Sequence, residues 1–331
     1  MTVPAHPFTA GEIRRVLIVP ETTYATTPAV GSVATLTYAG DIETFNNTTD
    51  EKVTPIYTDG SRSFGTQTRG AQIVGFTWKG FVRDSVDTFG SFLCKYAFGA
   101  YDSGTTTATL ADALPSFSCQ ISKRQWDTAG AGAWVYDYNL YNGCKINKLT
   151  ITGNEPGMAL EIEVEVFAQS VAKSTTKAFT GLQALTLGAD PSDDTGVPVR
   201  WNGASAYNIG GGAVTMYPEK FKVVVNNNIQ RSMGILSGNS GGPYCVTTAL
   251  NEGRREITYE FTQELQDDVF TAAKRAGTAI TTVTFVHSGT ASGTLTLTNG
   301  IFMANDYPTL IQDVNKESVK MMFKTIGHVG E

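Results

Sequence analysis

Clustered positive charge is what this sequence lacks most visibly. Only 17% of its 331 residues are charged, the formal net charge is −6, and the lysines and arginines are scattered along the chain. A surface that grips phosphates needs those cations gathered together. The composition therefore argues against a protein that holds nucleic acid, though not against one that surrounds DNA without gripping it. Cysteine is also scarce. Cys94, Cys119, Cys144 and Cys245 show no C-x-x-C spacing and no neighbouring histidine, which argues against a zinc site and for buried free thiols in a reducing compartment. No apolar run approaches the roughly 20 residues that cross a bilayer. The N-terminus has no apolar stretch behind a basic segment, so neither a secretory leader nor membrane binding is expected. These absences describe a soluble subunit.

Catalytic chemistry is missing too. Gly238-Asn239-Ser240-Gly241-Gly242-Pro243 resembles the nucleophile loop of trypsin-like serine proteases. That chemistry needs a histidine to take the serine proton and an aspartate to orient the histidine. In that family the histidine precedes the serine, and here only His6 does, in a proline-flanked tail. The hexapeptide is expected to be a hairpin tip. Asp190, Asp193 and Asp194 lack the ligand series of a calcium loop and read as solvated linker. Gly210-Gly211-Gly212 follows no strand-to-helix pattern and is not expected to cradle phosphate. No catalytic, cofactor or metal site is expected, and the chain is not read as an enzyme.

What is present is glycine (34 residues), abundant threonine and 41% hydrophobic residues. That mixture predicts short strands and tight turns, a mainly β chain. The pattern occurs twice. A strand-like run Ile73–Arg83 leads into an amphipathic helix, Asp84–Phe98, stopped by Gly99. The alternating run Glu256–Glu264 leads into a second helix that begins near Asp267 and stops at Gly277. Asn142-Gly143 opens a strand pair closed by Glu161–Phe167, and Asn299-Gly300 opens one closed by Glu317–Phe323. The expected organisation is an N-terminal arm and first strand (1–40), a β domain with one packed helix (41–170), a linker or insertion that can hold a strand or two (171–213), and a second such domain (214–331). Polar insertions at 46–70 and 232–245 interrupt the two domains at corresponding places.

The arm carries Glu21-Thr22-Thr23-Tyr24-Ala25-Thr26-Thr27-Pro28. It resembles the E-T-T-Y-G-T-T-P motif of major tail tube proteins of long-tailed, siphovirus-like bacteriophages, with Ala25 where glycine is more usual. The order of elements around it extends the resemblance over most of the chain, as a tandem-duplicated tube-domain type. It implies β-sandwich or barrel-like domains that add strands to the inner wall of stacked rings, each helix packing outside. With two domains per chain, it implies a homotrimer with pseudo-six-fold symmetry. It further implies a virion tail component assembled in the host cytoplasm. Its partners would be further copies of itself and the tape measure, distal tail and terminator proteins, with DNA passing through unbound. Glu21, Thr22, Tyr24 and Pro28 become candidate inter-ring contacts, and deletion of residues 1–30 is expected to leave folded subunits that stack poorly. The alternative is a virion-decorating or cell-surface β-sandwich binding module.

Strand periodicity suggests where such a channel is wetted. Glu161, Glu163 and Glu165 project from one side of their strand, opposite Ile162, Val164 and Val166. Glu256, Glu260 and Glu264 share a face opposite Ile257, Tyr259 and Phe261. Rows of like charge are costly unless water screens them, so these six glutamates are candidate lumen residues, repelling the phosphates of passing DNA.

Overall fold

The computed structural model describes residues 12–29, 36–38, 42–48, 50–56, 66–81, 83–84, 89–126, 134–174, 178–179, 197–235, 245–264, 269–288, 292–306 and 316–330. It is mainly β, 69% strand and 8% helix, in large antiparallel sheets that, among the described residues, do not close into a barrel within one chain. The first half contains β1 (Glu12–Pro20), β2 (Leu36–Tyr38), β3 (Ile42–Asn47), β4 (Asp50–Ile56), β5 (Thr66–Phe81), β6 (Arg83–Asp84), α1 (Lys95–Phe98), β7 (Gly99–Asp102), β8 (Thr107–Leu110), β9 (Phe117–Trp126), β10 (Trp134–Gly153), β11 (Glu161–Ala168) and β12 (Ser170–Ser174). After β13 (Val197–Pro198), which pairs with β6, the second half contains β14 (Arg200–Ile209), β15 (Gly212–Met216), β16 (Lys220–Asn226), β17 (Gln230–Ile235), β18 (Cys245–Asn251), β19 (Glu256–Glu264), α2 (Val269–Ala276), β20 (Ile280–Ser288), β21 (Ser292–Asp306) and β22 (Lys316–Val329).

One sheet runs through both halves in the order β3, β5, β11, β10, β16, β19, β22, β21, every neighbour antiparallel. Alternation decides its faces. In β11, Ile162, Val164, Val166 and Ala168 are buried while the glutamates between them are not. In β19, Ile257, Tyr259 and Phe261 are buried between exposed Glu256, Glu260 and Glu264. β-Branched and aromatic residues at every second position fit a half-buried pleat. The buried face packs on a second layer made of β1, β9 and the start of β10 in the first half, and of β14, β20 and the start of β21 in the second. Trp78, Phe76, Tyr141, Trp201, Tyr207 and Tyr259 lie in a single apolar cluster that spans both halves.

The pairing order recurs. β1 with β9, β3 with β5, β5 with β11, and β9 with β10 match β14 with β20, β16 with β19, β19 with β22, and β20 with β21. β10 and β21 each serve both layers because each bends twice. A left-handed residue comes first: Gly143 at φ 62 and Asn299 at φ 56. A bulge follows, between Ile146 and Lys148 and between Phe302 and Ala304. Asparagine is the residue after glycine that best tolerates this backbone. The equivalence is therefore one residue away from the one the letters suggest. Gly143 matches Asn299, not Gly300, and Glu161 matches Lys316, not Glu317. Glu317 takes the inward place of Ile162: it is 1% exposed and accepts a hydrogen bond from Gln263 Nε2 at 2.6 Å.

The helices cap the core as expected, the first without the expected start at Asp84. Arg83–Asp84 is strand, and the helical chain is already formed at Phe89, as a π-turn through Cys94 that leads into α1. Residues 85–88 and 265–268 lie outside the described residues. Gly99 closes α1 at φ 117, its N–H bonded to the Lys95 carbonyl, and Gly277 follows α2 at φ 66. Phe92 and Tyr96 meet Phe117 edge-on with ring centroids 5.7 and 5.0 Å apart, and Phe270 meets Tyr207 and Phe261 at 5.5 and 5.1 Å.

Three segments read from sequence as arm, insertion or linker contain paired strands. β1 pairs with β9 along its length, and Leu17, Ile18 and Val19 are buried. Deleting residues 1–30 would remove this strand from the second layer, so folded truncated subunits are no longer expected. The insertion at 46–70 contains the β4–β5 hairpin, and β14 and β15 pair inside the 171–213 stretch and just beyond it.

Candidate assembly and channel surface

Both glutamate sets lie on one face of the continuous sheet, opposite the core. Their neighbours across the strands were not visible in the sequence. Glu163 stands opposite Lys79, and Glu165 opposite Lys148. Glu260 stands between Lys222 and Lys320, and Glu264 opposite Lys316. Glu161 reaches Lys79 Nζ at 3.5 Å, with side chains 22% and 42% exposed. Two of the six face uncharged residues across the strands: Glu161, between Phe81 and Thr152, and Glu256, opposite Asn226. The repulsion expected from rows of like charge is therefore relieved across strands as well as by water. Opposite charges at facing positions attract, by roughly 0.2–1 kcal/mol a pair. Periodicity along one strand shows which residues share a face, but not what stands beside them.

The two halves join edge to edge. β10 leaves β9 after Cys144 and, past its bulge, pairs with β16 from Lys148 opposite Asn226 to Gly153 opposite Phe221. The turn after β16 is tied to this joint. Asn227 Nδ2 donates to the carbonyls of Ala97 and Ile146 at 3.1 and 2.9 Å. Ile229 N–H donates to Asn147 Oδ1 at 2.8 Å, and Asn147 Nδ2 donates to Glu165. Arg255 donates to Asn227 Oδ1 and to the Ala111 carbonyl. Lys145 Nζ meets Glu252 and the Leu250 carbonyl, and lies 5.2 Å from the centre of the Tyr24 ring. Apart from Glu165 and Tyr24, the sequence marks none of these joint residues, since Lys145, Asn147, Asn227, Glu252 and Arg255 are polar and unremarkable until the halves meet.

Of the candidate arm residues, Glu21 and Tyr24 turn toward their own chain. Glu21 Oε1 accepts from Ser118 Oγ at 2.6 Å and from Gly143 N–H at 2.8 Å, while Oε2 accepts from Ala25 N–H at 2.8 Å. Tyr24 packs on Leu114, Ile229 and Leu250, and burial pushes its phenol up to about 12. Thr22 is exposed and Pro28 half-buried. Ala25, at the position where the resemblance prefers glycine, sits at φ 56. A side chain there costs about 1–2 kcal/mol, partly offset by glycine's greater freedom when unfolded. Ala25→Gly should therefore stabilise the chain by about 0.5–1 kcal/mol in denaturant titration.

A buried histidine pair lies where the ends of β20 and β22 come together. His287 and His328 stack with ring centroids 5.1 Å apart and Nε2 atoms 2.9 Å apart, and they are 5% and 0% exposed. Burial, and then the charge His287 would carry, lowers His328 to about 3. The unfolded chain takes up a proton near pH 6.5 that the folded chain refuses. The neutral pair's stability is thus fully present above about pH 6.5 and is lost as pH falls toward 3. Unfolding at pH 5 should show a loss of about 2 kcal/mol relative to pH 7.5, removed by His328→Phe. An unchanged midpoint would refute this.

Ser240 and the acidic cluster at 190–194 lie outside the described residues. The strands flanking Ser240, β17 and β18, pair antiparallel up to Ile235 opposite Cys245. Cys94, Cys119 and Cys144 are buried free thiols, and burial raises the pKa of Cys119 and Cys144. Among the described residues there is no cluster of three metal-ligating side chains, and no helix is long and apolar enough to cross a membrane.

Compared with known families, the sequence matches the one described as phage tail tube protein over residues 11–319. No curated protein matches it.

Proposed function

Because the chain belongs to the phage tail tube protein family, and is thus a structural component of the virion tail that assembles with itself and with other tail proteins, we propose that three copies close one ring of the tube. The observation that carries this is the continuous sheet. Its order of four strands, β3-β5-β11-β10, is followed at once by the matching four, β16-β19-β22-β21. A chain holding two copies of one unit behaves as two-sixths of a six-fold ring. Three chains of eight strands make a wall of twenty-four, and walls of more than roughly sixteen strands leave an open lumen. Closure also removes the sheet edges, which otherwise invite open-ended pairing.

The open face, bearing the six glutamates and their facing lysines, lines the bore in this reading. Cross-strand pairing suits a conduit. A lysine already matched by a carboxylate releases few counterions on meeting a phosphate, so DNA gains little by binding. The arm and hairpins stack rings, with Thr22 and Pro28 available at the surface while Glu21 and Tyr24 hold the arm to its own subunit. The tape measure, distal tail and terminator proteins cap and measure the tube, which assembles in the host cytoplasm.

Native mass spectrometry and cryo-EM of tubes test the ring: three chains per ring are expected, and six would overturn the trimer. The tube wall performs no catalysis in this reading. A fluorophosphonate probe should therefore leave Ser240 unlabelled in folded protein, and covalent labelling there would refute it.

A further inference from the structure

The sheet has one joint made and two edges open, and the made joint shows how the open ones fit. In the first half, β10 passes its left-handed residue and its bulge and then pairs with β16. In the second half, β21 passes the same two features, leaves β20 at Gly300, and runs on from Ile301 to Asp306 with only β22 beside it among the described residues. At the other end, β3 pairs only with β5 among the described residues, whereas its counterpart β16 is paired on both sides.

Exposure shows the same asymmetry. Lys145 and Asn147 are partly covered, because β16, the turn after it and the β17–β18 hairpin lie against them. Their counterparts by bulge position are Ile301 and Met303, which are 57% and 49% exposed. Two large apolar side chains thus flank an open strand edge at the place where the first half is covered by the second.

We propose that a second copy of this chain covers that edge, its residues Thr48–Asp50 pairing antiparallel with Ala304–Asp306. The inference rests on the ring reading and gives it a register. The bulges equate Lys148 with Ala304 and Thr150 with Asp306. Aligning the pairings with β5 and β19 equates Val224 with Thr48 and Asn226 with Asp50. The made joint sets Lys148 opposite Asn226 and Thr150 opposite Val224. Transferred, Ala304 faces Asp50 and Asp306 faces Thr48. The β4–β5 hairpin, which follows β3 as β17–β18 follows β16, then lies over Ile301 and Met303.

Paired cysteines test the register in assembled protein. Ala304→Cys with Asp50→Cys should form intermolecular disulfides under mild oxidation, in majority yield, running as a covalent trimer on a non-reducing gel. Facing Cβ atoms in a sheet are about 4.5–5.5 Å apart. Ala304→Cys with Asn46→Cys, four residues out of register, should stay near the background of the native thiols. Rings seen by electron microscopy with no bond at 304/50, or with equal bonding at 304/46, would overturn the register and leave the ring reading standing. A chain that remains monomeric at high concentration and forms neither bond would overturn both. A 304/50 bond in open-ended oligomers would support the joint while refuting closure by three. Independently, Ile301→Asp with Met303→Asp should weaken ring formation by about tenfold or more while circular dichroism stays native. Rings forming at the wild-type concentration would count against coverage of that edge.

Discussion

Replacing Glu161, Glu163 and Glu165 together by lysine should leave the subunit folded but slow or block passage of DNA through the assembled tube, most severely at low salt. Each substitution changes the charge by two, so the formal net charge goes from −6 to 0 per chain. The larger effect is local. Lys79 and Lys148 lose the carboxylates they face, and a patch of five ammoniums replaces mixed pairs. Ammoniums no longer matched by carboxylates release counterions when they meet phosphates, which favours binding steeply as salt falls. Ejection rate measured on virions carrying the variant should drop by about tenfold at low ionic strength and recover partly as salt is raised. Facing like charges should also lower stability by roughly 0.2–1 kcal/mol a pair, so fold and field must be separated. Exchanging the partners, Lys79→Glu with Glu163→Lys, keeps the pair and the net charge and should restore near-normal ejection. Normal ejection by the triple variant would place these glutamates away from the bore.

Glu21→Ala should give a large loss of stability for a substitution outside the apolar core, about 2–4 kcal/mol. Three donors converge on this carboxylate: Ser118 Oγ, Gly143 N–H and Ala25 N–H. Ser118 and Gly143 are buried. Ser118 Oγ keeps Asn142 Oδ1 at 3.1 Å as a second acceptor, but the two N–H groups lose theirs, and a buried donor left without a partner costs roughly 1–3 kcal/mol. Glu21→Gln keeps an acceptor on the same scaffold and should cost about 1 kcal/mol. The carboxylate also fixes where β10 bends, because Gly143 is the left-handed residue at that bend. The variant should therefore lose ring formation before it loses secondary structure, detectable as monomers with native circular dichroism. A Glu21→Ala protein with wild-type unfolding and ring formation but poor stacking of rings would assign Glu21 to contacts between rings rather than within the subunit.

Much of the fold was legible in the sequence because it depends on local periodicity. Period-two alternation in Glu161–Phe167 and Glu256–Glu264 gave the strands and their wet and dry faces, and both are as read. The stops at Gly99 and Gly277 were legible because a left-handed residue ends a helix whatever surrounds it. The repeat was legible as a pattern but placed one residue out. Asn142-Gly143 and Asn299-Gly300 look alike as letters, yet backbone conformation decides equivalence, and Asn299 carries the left-handed turn that Gly143 carries.

The sequence by itself determined the mainly β chain, the two similar halves, the absence of clustered cations and the family resemblance, since each follows from composition or from neighbours along the strand. Only the tertiary structure decided what lies across the strand: lysines opposite the glutamates, Glu317 turned into the core, Glu21 holding the arm to Ser118 and Gly143, and β9 as the partner that places the first strand in the second layer. The reason is that strand pairing in this chain joins residues tens to hundreds of positions apart. Register is fixed by bulges and by which faces must be buried, and neither is settled until the whole sheet is assembled.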